Sequence, residues 1–192
     1  MELIFILMAP ARPENVGAAA RALKTMGFAQ LRIVASDVHT RDEAHWVAHG
    51  AQELLTSAQR FDDLPAALAD LDLVVATTAR QRGEHYRYLT PDQVCQQIRS
   101  KPSLGRIGIL FGCEESGLSN AQLAQADLVS YLPLRVGYPS LNLGQAIMLY
   151  AYELSSLFDG ETSLEPVPAR VERPVRGMFH RRIMRKAHRH IA

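Results

Sequence analysis

The sequence predicts an α/β fold, a mostly parallel sheet with helices on both faces. Three observations carry this. Apolar runs of strand length alternate with segments of helical spacing as far as residue 158. The runs are continuous rather than alternating, as expected of strands covered on both faces. Three loops rich in glycine or hydroxyl residues, at 77–80, 112–117 and 134–142, each follow one of these runs. Loops at the same end of a parallel sheet converge on one crevice, where such folds hold their ligands.

Leu3–Ala9 opens the chain as a buried strand. In the helix that follows, Val16, Ala19, Ala20, Leu23 and Met26 share one arc, with Gly17, Arg21 and Lys24 opposite. Arg21 therefore projects away from the core. Asn15 stands at the helix start, where its side chain can cap or meet a ligand, and Gly27 reads as the C-cap. Leu31–Ala35 is a second strand. Asp42–His49 reads as a short helix with Trp46 packing against the body. His45 and His49 are one turn apart, but no carboxylate–histidine motif surrounds them, so no metal site is expected. Phe61–Ala69 is a helical stretch whose Pro65 is tolerated only in the first turn.

Leu71–Ala76 is the next strand, with Thr77 and Thr78 at its carboxyl end. Residues 80–88 then mix Arg80, Arg82, His85 and Arg87 with Tyr86 and Tyr88. That composition suits phosphate contacts and base stacking, and equally a solvated basic loop. Pro91–Arg99 is a helix opened by proline. Arg106–Phe111 is a strand, and Gly112 and Gly117 after it bracket Glu114 and Glu115. Ser119 reads as the next N-cap, and Leu128–Pro133 as the last strand.

Residues 138–147, YPSLNLGQAI, lead into the final helix, with apolar residues at 143, 146, 147, 150, 151, 154, 157 and 158. Pro139 makes the entry rigid, and Ser140 and Asn142 stand where orphan N–H groups need partners. These residues serve equally as ordinary caps or as a polar ligand site.

At 192 residues the chain suits one domain with a tail. The net charge of +1 conceals an asymmetry. Residues 1–160 carry 13 Lys/Arg against 17 Asp/Glu, and residues 161–192 carry 8 against 3. A basic tail favours polyanions. Cys95 and Cys113 fit no metal or disulfide spacing, and the N-terminus has no basic region or cleavage site. A reduced cytoplasmic setting, without membrane association, is expected. GxGxxG, Walker A and GxSxG patterns are absent from the sequence.

Three motifs, NVGAAARALKTMGF at 15–28, LFGCEESGLSN at 110–120 and YPSLNLGQA at 138–146, follow one another in order. Together they resemble the SpoU/TrmH branch of the SPOUT superfamily of RNA ribose 2′-O-methyltransferases, most of all the TrmJ/LasT group of tRNA/rRNA methyltransferases. The resemblance covers about residues 1–158. It implies a deep C-terminal trefoil knot, S-adenosyl-L-methionine as cofactor, and an obligate homodimer whose active site uses both chains. It places cofactor contacts at Thr77, Thr78, Ala79, Gly112, Leu132, Pro139, Ser140 and Leu141. Asn15, Arg21, Glu114, Ser140 and Asn142 match the family's catalytic positions. The substrate it implies is RNA, with tRNA and the first nucleotide of the anticodon loop as the candidate target.

Methyl transfer to a ribose hydroxyl needs alignment of hydroxyl, methyl and sulfur, and removal of one proton. Arg21, normally protonated, is a poor free base and is expected to orient the ribose phosphate and polarise the hydroxyl. Ser140 and Asn142 are expected to position cofactor and substrate, and Glu114 to hold Asn15 or Arg21. From residue 159 the chain departs from longer relatives. Pro166, Pro168 and Pro174 suggest an extended linker, and Met178–Ile191 either a basic amphipathic helix or a disordered tail. Two rivals remain: an rRNA 2′-O-methyltransferase, and a non-catalytic RNA-binding protein retaining the fold.

Overall fold

The computed structural model describes residues 1–79, 86–135 and 141–158. Among them one sheet is formed by β1 (Glu2–Met8), β2 (Gln30–Val34), β3 (Gln59–Phe61), β4 (Leu73–Thr78), β5 (Tyr88–Leu89), β6 (Arg106–Phe111) and β7 (Leu128–Tyr131). The order is β3–β2–β1–β6–β4–β7–β5, and every pairing is parallel. The helices are α1 (Pro13–Thr25), α2 (Asp42–Val47), α3 (Gln52–Thr56), α4 (Leu64–Leu68), α5 (Pro91–Arg99), α6 (Asn120–Leu123) and α7 (Leu143–Ser155).

The strand period of two divides the core. Leu3, Phe5 and Leu7 of β1 face one layer, packed with Val16 and Leu23 of α1, Ile98 of α5 and Ile147 and Leu154 of α7. Ile4 and Ile6 face the other, with Leu64 and Ala67 of α4 and Leu123 of α6. The helices thus cover both faces, as expected. Gly27 ends α1 with φ +81°, and the Phe28 N–H returns to the Leu23 carbonyl at 2.9 Å.

Several local expectations are corrected. Phe61 belongs to strand β3, and only Leu64–Leu68 of the expected helical stretch is helical; Pro65 does sit in its first turn. Trp46 does not pack: it is 73% exposed. Gly17 is buried, because a Cβ there would lie 2.2 Å from the Ala44 carbonyl oxygen of α2. The alanine-rich α1 is therefore packed on two sides, and a single-arc reading cannot show the second.

Strand β6 returns between β1 and β4, and β7 lands between β4 and β5. The implied knot depends on the path through 136–140, which lies outside the described residues. Arg80, Arg82, His85, Pro139, Ser140 and the tail from 159 onward lie outside them as well.

Candidate active site

The carboxyl ends of β4, β6 and β7 open on one cavity of about 270 Å³. Thr77, Thr78, Ala79, Gly112, Leu132 and Leu141, the expected cofactor residues that are described, all line it. Thr77 and Thr78 are the last residues of β4, in register with Ser130 and Tyr131. Thr77 Oγ1 donates to the Leu110 carbonyl at 3.0 Å, which fixes its rotamer. The loop after β6 folds back so tightly that a Cβ on Gly112 would lie 2.3 Å from backbone atoms of Gly117 and Leu118. Gly117 itself adopts φ +67°, so both glycines are required by the turn.

Leu132, Leu134 and Leu141 give the cavity an apolar part. Glu114 and Glu115 give it two carboxylates, and no lysine, arginine or histidine is among its described lining residues. Such a lining suits a ligand with a flat apolar portion and a positive charge. Tyr150 also lines it, a residue the motifs did not flag. Its ring meets Phe111 edge-on at 5.4 Å, and its hydroxyl donates to Ser130 Oγ at 2.9 Å. Ser130 in turn donates to the Leu89 carbonyl at 2.9 Å. Burial pushes the Tyr150 phenol well above its usual range, so it acts as a fixed wall. The available signal was its place on the inner stripe of α7, seven residues after Leu143.

A polar relay joins three loops beside this cavity. Glu114 Oε2 accepts from the Ala11 N–H at 2.9 Å, and Oε1 from the Arg12 N–H at 3.3 Å and from Asn15 Nδ2 at 2.9 Å. Asn15 Oδ1 accepts from Asn142 Nδ2 at 2.7 Å, and Asn142 Oδ1 caps α7 through the Gly144 N–H at 2.9 Å. An ionised carboxylate only accepts, so it fixes which way both amides point. Burial raises the Glu114 pKa, but the donors from Ala11, Asn15 and Arg12 outweigh it and hold the carboxyl below its usual range. Gly144 makes the reach possible: a Cβ there would sit 2.8 Å from Ala18 Cβ, so α1 and α7 touch closely.

Asn15 is therefore not a cap. It lies in the first turn of α1, whose N-cap position, Arg12, makes no side-chain cap. Of the two partners expected for Glu114, the structure shows Asn15. Arg21 is apart from the relay bonds. It is exposed and lines a second groove with Ala18, Asn142, Gln145, Met148 and Leu149. Asn142 thus touches both the relay and the Arg21 groove.

Among the described residues no cluster of His, Cys, Asp or Glu could hold a metal ion. Among them, too, no helix is long and apolar enough to cross a membrane.

The SpoU rRNA Methylase family model matches residues 2–152. The chain belongs to this family. Its activity class is accordingly methyl transfer to RNA. It is 47% identical over 158 residues to LasT of Escherichia coli K12, described as an uncharacterized tRNA/rRNA methyltransferase; the match covers 82% of this chain and 69% of that protein. It is 34% identical over 152 residues to the tRNA (cytidine-2′-O-)-methyltransferase TrmJ of Methanocaldococcus jannaschii, covering 78% of this chain and 65% of the relative. The crystal structure of TrmJ from Z. mobilis superposes with a TM-score of 0.75 at 38% identity, over 81% of this SpoU-family chain and 70% of that one.

Proposed function

We propose that the chain methylates a ribose 2′-hydroxyl of RNA with S-adenosyl-L-methionine, that its substrate is tRNA, and that the first nucleotide of the anticodon loop is the target. The observation that carries this reading is the relay Glu114–Asn15–Asn142, which ties the cavity to the Arg21 groove.

The cavity suits the cofactor. Leu132, Leu134 and Leu141 would flank the adenine, Thr77 and Thr78 would contact its polar edges, and the carboxylates would accommodate a cation. Backbone groups of Gly112, Pro139 and Ser140 would complete the contacts. When bound, the cofactor supplies an activated methyl group on a sulfonium centre. The protein's part is alignment and handling of one proton. Arg21 holds the ribose phosphate and donates toward the 2′-oxygen, which lowers the cost of losing its proton. Asn142, held by Asn15 and by its own cap of Gly144, positions the ribose beside the cavity. Ser140 is assigned to the same task.

The active unit is proposed to be a homodimer. Leu149 and Tyr152 of α7 are 42% and 64% exposed, and the adjoining groove is lined by Ala18, Ala22 and Met148. A second copy covering that face would bring its own groove beside this Arg21. The knot would then hold the 134–142 loop against the cavity, in a cytoplasmic enzyme whose methyltransferase domain spans 1–158 and whose basic tail, 159–192, contacts RNA.

The test is transfer of labelled methyl from S-adenosylmethionine to tRNA and rRNA fractions, with the 2′-O-methyl sites mapped. Arg21→Ala is expected to bind cofactor as the parent does and to lose at least about a hundredfold in transfer, the usual loss when a charge-stabilising donor is removed. Full transfer by that variant overturns the role of Arg21. Cofactor binding without transfer to any fraction by the parent chain overturns the enzyme reading in favour of a binding protein.

A further inference from the structure

Outside the cavity, three tyrosines form an unbroken edge-to-face series at the outer edge of the sheet. The rings of Tyr86 and Tyr88 are 6.2 Å apart at 67°, and those of Tyr88 and Tyr131 are 6.5 Å apart at 88°. All three are half-buried, and β5, which carries Tyr88, is a two-residue edge strand. Tyr86 and Tyr88 pack against the core layer that includes Val129, the register partner of Tyr88. Arg87, exposed and lying between Tyr86 and Tyr88 in sequence, and Arg135, exposed four residues after Tyr131, supply positive charge to this edge, with Asp92 the exposed acid on the neighbouring helix start. Tyr131 lies in register with Thr78 and precedes Leu132, both of which line the cavity.

Taking the RNA methyl-transfer reading as its basis, we infer that Tyr86, Tyr88 and Tyr131 form a stacking subsite for an unpaired base of the RNA, next to the nucleotide whose ribose is methylated. An aromatic face supported from below by core residues is already ordered, so a base stacks on it at little entropic cost. Exposed arginines on the segments that carry the rings would meet the phosphates that a stacked nucleotide brings. Every base has a π-face, so the subsite selects for unpaired structure rather than for sequence.

The measurement is binding of a fluorescein-labelled RNA hairpin with an unpaired loop, by anisotropy, for the full chain and for Tyr86→Leu, Tyr88→Leu and the corresponding Phe variants. Removing one stacking ring is expected to weaken binding on the order of tenfold, while Phe, which keeps the face, stays within about twofold. Cofactor affinity by calorimetry is expected to be unchanged. A hairpin carrying 2-aminopurine beside the target is expected to be quenched by the parent and the Phe variants, and not by the Leu variants. Equal hairpin binding by folded Leu variants overturns the subsite, as does an unquenched probe with the parent chain should the Leu variants fail to fold. If the parent chain neither binds the hairpin nor methylates RNA, the functional reading itself has failed. If it does both and the Leu variants match it, only the subsite has.

Discussion

The two edges of the parallel sheet are both polar, and they are built on opposite logic. At the amino edge Glu2, Arg32, Asp70, Asp72 and Arg106 each meet an opposite charge or a backbone donor. Asp70 accepts two bonds from Arg32, at 2.7 and 2.8 Å, and also pairs with Arg106, which reaches Glu2. Asp72 accepts from the Gly105 and Arg106 N–H groups at 2.8 Å each. At the carboxyl edge Glu114 has no cationic partner among the described residues; it is held by two backbone amides and one asparagine. A compensated cluster closes a surface. An acceptor held by neutral donors keeps its negative charge available to a cationic ligand while staying fixed in place. The contrast separates an edge built for stability from one built for a site.

Substitutions at matching positions sharpen that contrast. Asp70→Asn leaves Arg32, 2% exposed, without its counter-ion, and is expected to cost about 2 kcal/mol in chemical denaturation, less than a fully buried pair because Asp70 itself is half exposed. Methyl transfer by the folded fraction is expected to stay near the parent's. Glu114→Gln has the opposite profile. Its amide turns a donor toward donors, and the loss of alignment is expected to lower transfer about a hundredfold. Stability is expected to fall by only about 1 kcal/mol, the scale of one strained hydrogen bond. A hundredfold loss from Asp70→Asn in folded protein would erase the distinction between the edges.

Acid titration orders the same pair. Both carboxyls are depressed in the folded protein, so each contributes stability above its unfolded value and loses it as pH falls through its folded value. Asp70 is held at about 2 from an ordinary 3.8, chiefly by its bonds from Arg32. Glu114 is lowered from an ordinary 4.5 by its amide donors, against the opposing effect of burial. The Ala11 and Arg12 amide resonances are therefore expected to shift at a pH below 4.5, and the Arg32 side-chain resonances as pH falls through about 2. The smallest effect belongs to an open surface pair. Asp37→Asn, which removes one exposed partner of Arg60, is expected to leave the melting midpoint within the spread of repeat thermal melts.

The fold was legible where burial is two-sided. β1, β4, β6 and α7 announce themselves because continuous apolar runs and a wide apolar stripe leave few alternatives. β3 and β5 did not, since QRF and YL are too short and too polar or mixed to show a period. Gly17 hid the α1–α2 contact because a missing side chain leaves no pattern. At the site, the motifs located Glu114, Asn15 and Asn142 but not their bonds. Helix position suggests a cap for Asn15, and only the approach of α7 to α1 at Gly144 turns its amide between two partners.

The relay also has a history within each molecule. Glu114 and Asn15 are 99 residues apart in the chain, and Asn15 and Asn142 are 127 apart. Contacts of such separation close long loops, at a cost in chain entropy. During synthesis, which proceeds from the N-terminus, the helix bearing Asn15 emerges long before its two partners. All seven strands of the sheet precede residue 142, so the chain has every strand before it has the residue that completes the relay. The relay closes only when α7 has been made and docks on α1, and if it serves the proposed transfer, a chain cut short of residue 142 would keep the strands and lose the alignment.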